Sequence, residues 1–421
     1  MSKPTITIVG GGMITHDQIL PTIYHMQREG EIGDIQICAL NARPLKDLAE
    51  APMLRDAFPG QSFISFPDYK TTDLDAKFPD LFKEVLAKMP PRNIVVVAVP
   101  DQLHYGTLKV ALEAGQHVCC VKPLVLSYKQ AVEIEELAAK RGLLVGVDYH
   151  KRFDDRNLMA RDRYARGEFG QFRLGQARLM EPWYYRNSNF QNWCTCENSD
   201  FFTYVGCHYV DLVAYITGLK PVSVSVYGIV DQYPNGKDGY LWTDGRVIWE
   251  NGACLNVQNA IAYPNEAPGG NAQGMFLFCR SKERSAFIEH QDSFRGVRHS
   301  LAVADGQQRR YTEPNPDYFR LVNKGGKGLT PVGYGHRSVE HILKAAIRLE
   351  GETAGLNDKD GLKARKAALK AIDAEGIIAT PANSSYNELV VEAARLSITH
   401  GCREVVINYG QTPGVEFRTK W

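Results

Sequence analysis

Three consecutive glycines, Gly10-Gly11-Gly12, follow directly on the short apolar run Thr5 to Val9 and precede a segment from about Asp17 to Glu29 with helical composition. A second apolar run, Asp34 to Leu40, comes next. Strand, glycine turn, helix and strand thus fit within about thirty residues, the size of one βαβ unit.

The alternation continues. Asn93 to Val99 is an uninterrupted β-branched run, as expected of a parallel strand buried on both faces, and Leu103 to Ala114 after it has helical composition. His117 to Val121 and Leu143 to Val147 complete the strands, separated by Tyr128 to Arg141, a helix that Gly142 would end. A first domain over residues 1–150 follows, of the doubly wound α/β type. Beyond it come alternating, aromatic-rich segments, Val222 to Val230, Arg246 to Trp249, Ala253 to Ala260 and Met275 to Cys279, which suit an antiparallel sheet with one covered face. Helical composition returns from Ser338 to His400, and Gly361 to Ala374 is dense in Lys and Ala. The expected architecture is an α/β N-terminal Rossmann domain plus an α+β C-terminal domain, residues 151–421, with a large, mostly antiparallel open sheet and a C-terminal helical layer.

At 421 residues the chain exceeds what one core usually serves. Its 49 basic and 48 acidic residues leave a formal charge of +1, which offers no general field for a nucleic-acid backbone. No stretch approaches eighteen consecutive apolar residues, and the start lacks the pattern of a signal peptide, so neither a membrane span nor export is expected. The nine cysteines are scattered, and Cys194-Thr195-Cys196 lacks the usual metal or redox spacing. A cytoplasmic protein with reduced thiols and no metal is expected.

A glycine turn between a strand and a helix lets backbone N–H groups meet a pyrophosphate where the helix carries partial positive charge. Gly10, Gly12, Met13 and Ile14 are the candidates for this contact, with Thr15 where a third glycine is usual. After the second strand an acid normally accepts from the adenosine ribose. This chain has Asn41, which can bond a ribose hydroxyl, and Arg43, which can pair with a 2′-phosphate, so NAD and NADP both stay open.

Three further segments carry a family resemblance: Val97-Ala98-Val99-Pro100-Asp101-Gln102-Leu103-His104, then Ala114-Gly115-Gln116-His117-Val118 leading to Val121-Lys122-Pro123, and Gly206-Cys207-His208-Tyr209-Val210-Asp211. Together they resemble the Gfo/Idh/MocA family of sugar and polyol oxidoreductases. The resemblance implies that Pro100, His104 and Lys122 line the cofactor and that Lys122 also reaches the substrate, with Val121 in place of the usual Glu. It implies that His208 is catalytic, with Asp211 on the same helical face to orient a polar neighbour and Tyr204 where polyol dehydrogenases often have Asp. Lys122, His208 and Tyr204 are thus alternative proton-transfer groups, and Tyr215 is a further one.

His is suited to handling a hydroxyl proton by a reference pKa of about 6.5, and Lys can polarise the reacting oxygen. Tyr184 and Trp193, among aromatic and amide side chains, read either as a sugar-stacking surface or as core packing. His150-Lys151-Arg152 reads either as a solvated charge run or as a site for an anionic substituent of the substrate. The expected activity is hydride transfer between a carbohydrate ring carbinol and NAD, or NADP, by a homo-oligomer joined through its C-terminal sheet. Two alternatives stand: a glycosidase that uses retained NAD for transient oxidation, elimination and re-reduction, and a non-enzymatic dinucleotide sensor.

Overall fold

The computed structural model describes residues 3–267, 270–282, 285–292, 301–302, 311–312 and 317–419. The chain forms two compact units. One comprises the chain up to Val125, Lys129–His150 and Phe319–Ser384; the other comprises Leu126–Tyr128, Lys151–Tyr318 and the chain from Ser385 onward.

The first unit is built on a six-stranded sheet of β1 (Ile6–Val9), β2 (Ile35–Cys38), β3 (Ile64–Phe66), β4 (Ile94–Val97), β5 (His117–Val121) and β6 (Val145–Asp148), in the order β3-β2-β1-β4-β5-β6. Every neighbouring pair is parallel. All four residues of β1 and of β4 are buried, which is why both read as unbroken apolar runs. The strand order reverses between β1 and β4, and in open α/β sheets ligands bind beyond the strand C-termini at such a switch point. β3 is only three residues long and starts on exposed Ile64, so no periodicity announces it in the sequence.

The second unit holds an eight-stranded sheet, ordered β12-β11-β7-β10-β9-β8-β17-β18. Its strands are β7 (Gln171–Pro182), β8 (Pro221–Gln232), β9 (Asp238–Trp249), β10 (Cys254–Tyr263), β11 (Ala272–Arg280), β12 (Ser285–Gln291), β17 (Val405–Asn408) and β18 (Gly414–Phe417). β13 (Leu301–Ala302) pairs with β14 (Tyr311–Thr312), and β15 (Arg320–Val322) with β16 (Thr330–Val332). The large sheet is antiparallel except where β7 runs parallel to β10. Phe172, Ala177 and Leu179 of β7 are buried while Leu174, Gln176 and Arg178 are exposed, the alternation of a sheet covered on one face.

The helical tail is divided. Helices Tyr334–Glu352 and Asp358–Glu375 belong to the first unit, where Val147 of β6 also bridges to Ala379, whereas helix Tyr386–Ile398 belongs to the second. The expected single boundary near residue 150 therefore gives way to a chain that returns to its first unit. Helical composition shows that helices form but not which sheet their apolar faces cover.

Candidate functional site

In the first unit the turn after β1 is set by contacts that only glycine permits. Gly10 has φ +120°, and a Cβ there would lie 2.1 Å from the Ala98 carbonyl oxygen beyond β4. Gly11 lies against Ala39 and Pro44, which puts the glycine turn beside the segment that follows β2. Over Gly12 a Cβ would meet nothing within 4 Å, so the turn presents open backbone there. Thr15, fully buried, donates its hydroxyl to the Gly10 carbonyl at 2.7 Å. Where a third glycine would allow close packing, this hydroxyl ties the helix to the turn instead. The helix starts earlier than its composition indicates: the N–H groups of Thr15 and His16 already donate to the Gly12 carbonyl. Met13 and Ile14 are half-buried in that first turn. Asn41 is half-buried after β2, and Arg43 is exposed and ion-paired to Asp75.

Pro100 is half-buried after β4. His104 is fully buried, with Nδ1 2.8 Å from the Pro123 carbonyl and Nε2 2.8 Å from the Val99 carbonyl. Expected to touch the cofactor, it is a brace between the segments that follow β4 and β5, because both ring nitrogens are turned to backbone oxygens. Lys122 is half-buried directly after β5. His150 packs its ring 5.4 Å from that of Tyr334.

Asp148, at the end of β6 and in register with Val121, is a residue the sequence reading passed over. Its carboxylate accepts from Gln18 at 2.8 Å and from Ser338 at 2.5 Å, joining the glycine-turn helix, β6 and helix Tyr334–Glu352. Burial raises its pKa to about 6, against the pull of those hydrogen bonds and of the Lys122 charge. A single acid closing the apolar run Leu143 to Val147 was the signal available for it.

His336, on the same helix, has its pKa lowered to about 4 by burial, with Thr22 3.2 Å from Nδ1 and Glu340 3.6 Å from Nε2. The unfolded chain therefore binds the extra proton between about pH 6.5 and 4, and His336 costs stability as pH falls through that window. We expect the stability difference between wild type and His336→Asn to swing by roughly 3 kcal/mol from pH 7 to pH 4, the wild type losing more. Urea midpoints taken across this range check it; parallel curves contradict it.

In the second unit His208 is buried in helix Cys207–Thr217, next to the π-helical turn Phe202–Gly206. Such turns recur at functional sites. A Cβ at Gly206 would lie 2.7 Å from Oδ1 of buried Asn259 in β10, so the glycine lets the helix start press onto the sheet. Asp211, 1% exposed, accepts from Arg152 Nε at 2.7 Å and Nη2 at 2.5 Å, from the Tyr386 hydroxyl at 3.0 Å and from Asn387 at 2.9 Å. Burial works against the Arg152 charge, but Asp211, Tyr386 and Tyr215 together outweigh it and hold the guanidinium pKa above its usual range. Tyr215 sits under two guanidinium groups, Arg152 at 5.1 Å and Arg161 at 4.8 Å.

These contacts correct several expectations. Asp211 is a counter-ion within the core rather than an orienter of a catalytic group, since four donors occupy its oxygens. Arg152 and Lys151 are neither solvated nor placed for an anionic substituent. Lys151 is 2% exposed, with Nζ 2.6 Å from Gln273 and 3.0 Å from Asp292. Trp193 is buried, and half-buried Tyr204 packs edge-on against Phe190 at 4.8 Å and Trp193 at 5.4 Å. Core packing is thus the reading that holds for Trp193, while Tyr184 is exposed and stands edge-on to Tyr185. All nine cysteines are free thiols, and among the described residues no cluster of three or more His, Cys, Asp or Glu is placed to hold a metal. No helix among them is long and apolar enough to cross a membrane.

Comparison with known proteins finds the same fold. The crystal structure of GenD2 from gentamicin A biosynthesis, in complex with NAD, shares the fold with TM-score 0.63 at 18% identity, covering 97% of each chain. Scyllo-inositol dehydrogenase from Lactobacillus casei, with bound NAD(H) and scyllo-inositol, shares it with TM-score 0.60 at 15% identity, covering 96% of this chain and 99% of that one. In sequence, D-glucoside 3-dehydrogenase of Escherichia coli is 29% identical over 135 residues, 31% of this chain and 37% of that protein. The oxidoreductase YfiI of Bacillus subtilis is 34% identical over 109 residues, 26% of this chain and 25% of that protein. The chain thus matches only about a quarter to two fifths of the length of these curated relatives. Residues 5–149 match the model described as the Gfo/Idh/MocA oxidoreductase family, NAD-binding Rossmann fold.

Proposed function

We propose that the chain is a cytoplasmic NAD-dependent dehydrogenase of a sugar, sugar derivative or polyol. The observation that carries this reading is the open backbone at Gly12, in a turn whose Gly11 lies beside the segment after β2, on a parallel sheet whose strand β5 runs directly into Lys122. A ligand with a pyrophosphate and an adenosine ribose fits that arrangement: the turn offers N–H groups, and Asn41 offers an amide to a ribose hydroxyl. The bound dinucleotide supplies the hydride acceptor. Lys122 polarises the reacting oxygen, and His208 takes the hydroxyl proton. The edge-on packing of Tyr204 on Phe190 and Trp193 suits a packing aromatic better than a proton carrier.

Purified protein incubated with NAD and a panel of polyols, free sugars and glycosides, followed by NADH absorbance and by released aglycone, tests the proposal. NADH formation is the expected result. Aglycone release without net NADH points to the redox-assisted glycosidase, and silence in both signals with NAD bound points to a sensor.

Self-association is part of the same proposal. Leu174, Phe278, Phe287, Tyr227 and Ile229 of the large sheet are all at least half exposed, an apolar surface that a second copy would cover. A monomeric mass in solution contradicts this part.

A further inference from the structure

We propose that Asp75 makes this chain select NAD over NADP by occupying the arginine that a 2′-phosphate would need. The inference rests on the cofactor reading above and goes beyond it. Arg43 opens helix Arg43–Glu50, just after the β2 end where Gly11 meets Ala39 and Pro44, the place of the adenosine ribose in a Rossmann domain. Left to itself, a guanidinium there recognises a phosphate with two parallel hydrogen bonds.

Here that fork is already filled. Arg43 Nε donates to Asp75 Oδ1 at 2.8 Å, and Nη2 donates to Oδ2. The segment that brings Asp75 is itself fixed to the β2 end. The Arg43 N–H donates to the Leu74 carbonyl at 3.1 Å, the Phe78 N–H to the Leu40 carbonyl at 2.7 Å, and the Asp75 N–H to Asp73 Oδ1 at 3.0 Å. The pairing holds the Asp75 carboxyl below its usual range, so it is charged at neutral pH, and Asp47 and Asp73 add negative charge around Arg43. A 2′-phosphate would have to displace one carboxylate and approach two others. A 2′-hydroxyl meets no such penalty and can use Asn41.

The test is the ratio of NADP to NAD affinity, measured by isothermal titration for wild type, Asp75→Ala, Asp75→Asn and the double variant Arg43→Ala/Asp75→Ala. Asp75 is 66% exposed, so folding is not at stake. Wild type should prefer NAD. Each Asp75 variant should gain about tenfold in NADP affinity with NAD affinity kept within about twofold, the scale of one freed charge-assisted pair, and the double variant should lose the gain. An unchanged ratio in both Asp75 variants, a gain that survives loss of Arg43, or a wild type that prefers NADP overturns the proposal while leaving dinucleotide binding intact. If wild type binds neither dinucleotide, the cofactor reading falls and this inference with it.

Discussion

Replacing Lys122 by Met is expected to lower turnover by about a hundredfold or more while the dinucleotide still binds, the scale seen when a positioned acid-base or electrostatic group is lost. Methionine keeps the length and most of the apolar stem, so the end of β5 and the Pro123 carbonyl that faces His104 should stay in place. Steady-state rates paired with dinucleotide titration check the prediction. Near-normal turnover removes Lys122 from the chemistry. A parallel loss of dinucleotide affinity would mean that the lysine holds the cofactor rather than the reacting oxygen.

The second large effect is expected on stability. Arg152→Met leaves the Asp211 carboxylate buried with Tyr386 and Asn387 as its remaining donors, and breaking a buried pair in this way typically costs about 3–5 kcal/mol. Asp211→Leu strands the guanidinium beneath Tyr215 and should cost a similar amount. The double replacement should cost clearly less than the two single losses added together, because no uncompensated charge is left behind. Urea unfolding of the four proteins measures this. Single losses below about 1 kcal/mol, or strict additivity, would show that the pair is not the clamp described here.

The two units were legible to different depths. In the first, β1, β4, β5 and β6 stood out because each is an apolar run closed by Gly, Pro or a charge, while β3 did not, and the glycine turn could be placed from its neighbours alone. The helix over Tyr128 to Arg141 matched its composition residue for residue. In the second, β8 to β11 showed as alternating segments, but β7 escaped because five of its twelve residues are Gln, Arg or Glu. Those charged and amide side chains mostly take the exposed face, and a strand whose alternation is half polar looks like a loop until its partners are known.

The site residues divide the same way. Gly10 and Gly12 follow from local backbone geometry, which the sequence encodes directly. Arg152, Lys151 and Asp211 were misread because their partners, Tyr386, Asn387, Gln273 and Asp292, lie from 122 to 234 residues away along the chain. Pairing across such distances leaves no local pattern. His104 was assigned to the cofactor from its motif, but its place between two backbone carbonyls is decided by strand order. Arg43 read as a partner for a 2′-phosphate, but the counter-ion that occupies it, Asp75, comes from a segment after β3, a strand too short to be anticipated.

The central claim is hydride transfer from a carbohydrate carbinol to a dinucleotide held on the first unit. The most direct measurement takes the most active compound of the panel, prepared with deuterium at its carbinol carbons, and examines the NADH formed with unlabelled NAD by mass spectrometry and proton NMR. One deuterium at C4 of the dihydronicotinamide, in step with oxidation of the compound and formed about a hundredfold more slowly with Lys122→Met, is the predicted result. NADH without deuterium, or no NADH from any panel member, contradicts it.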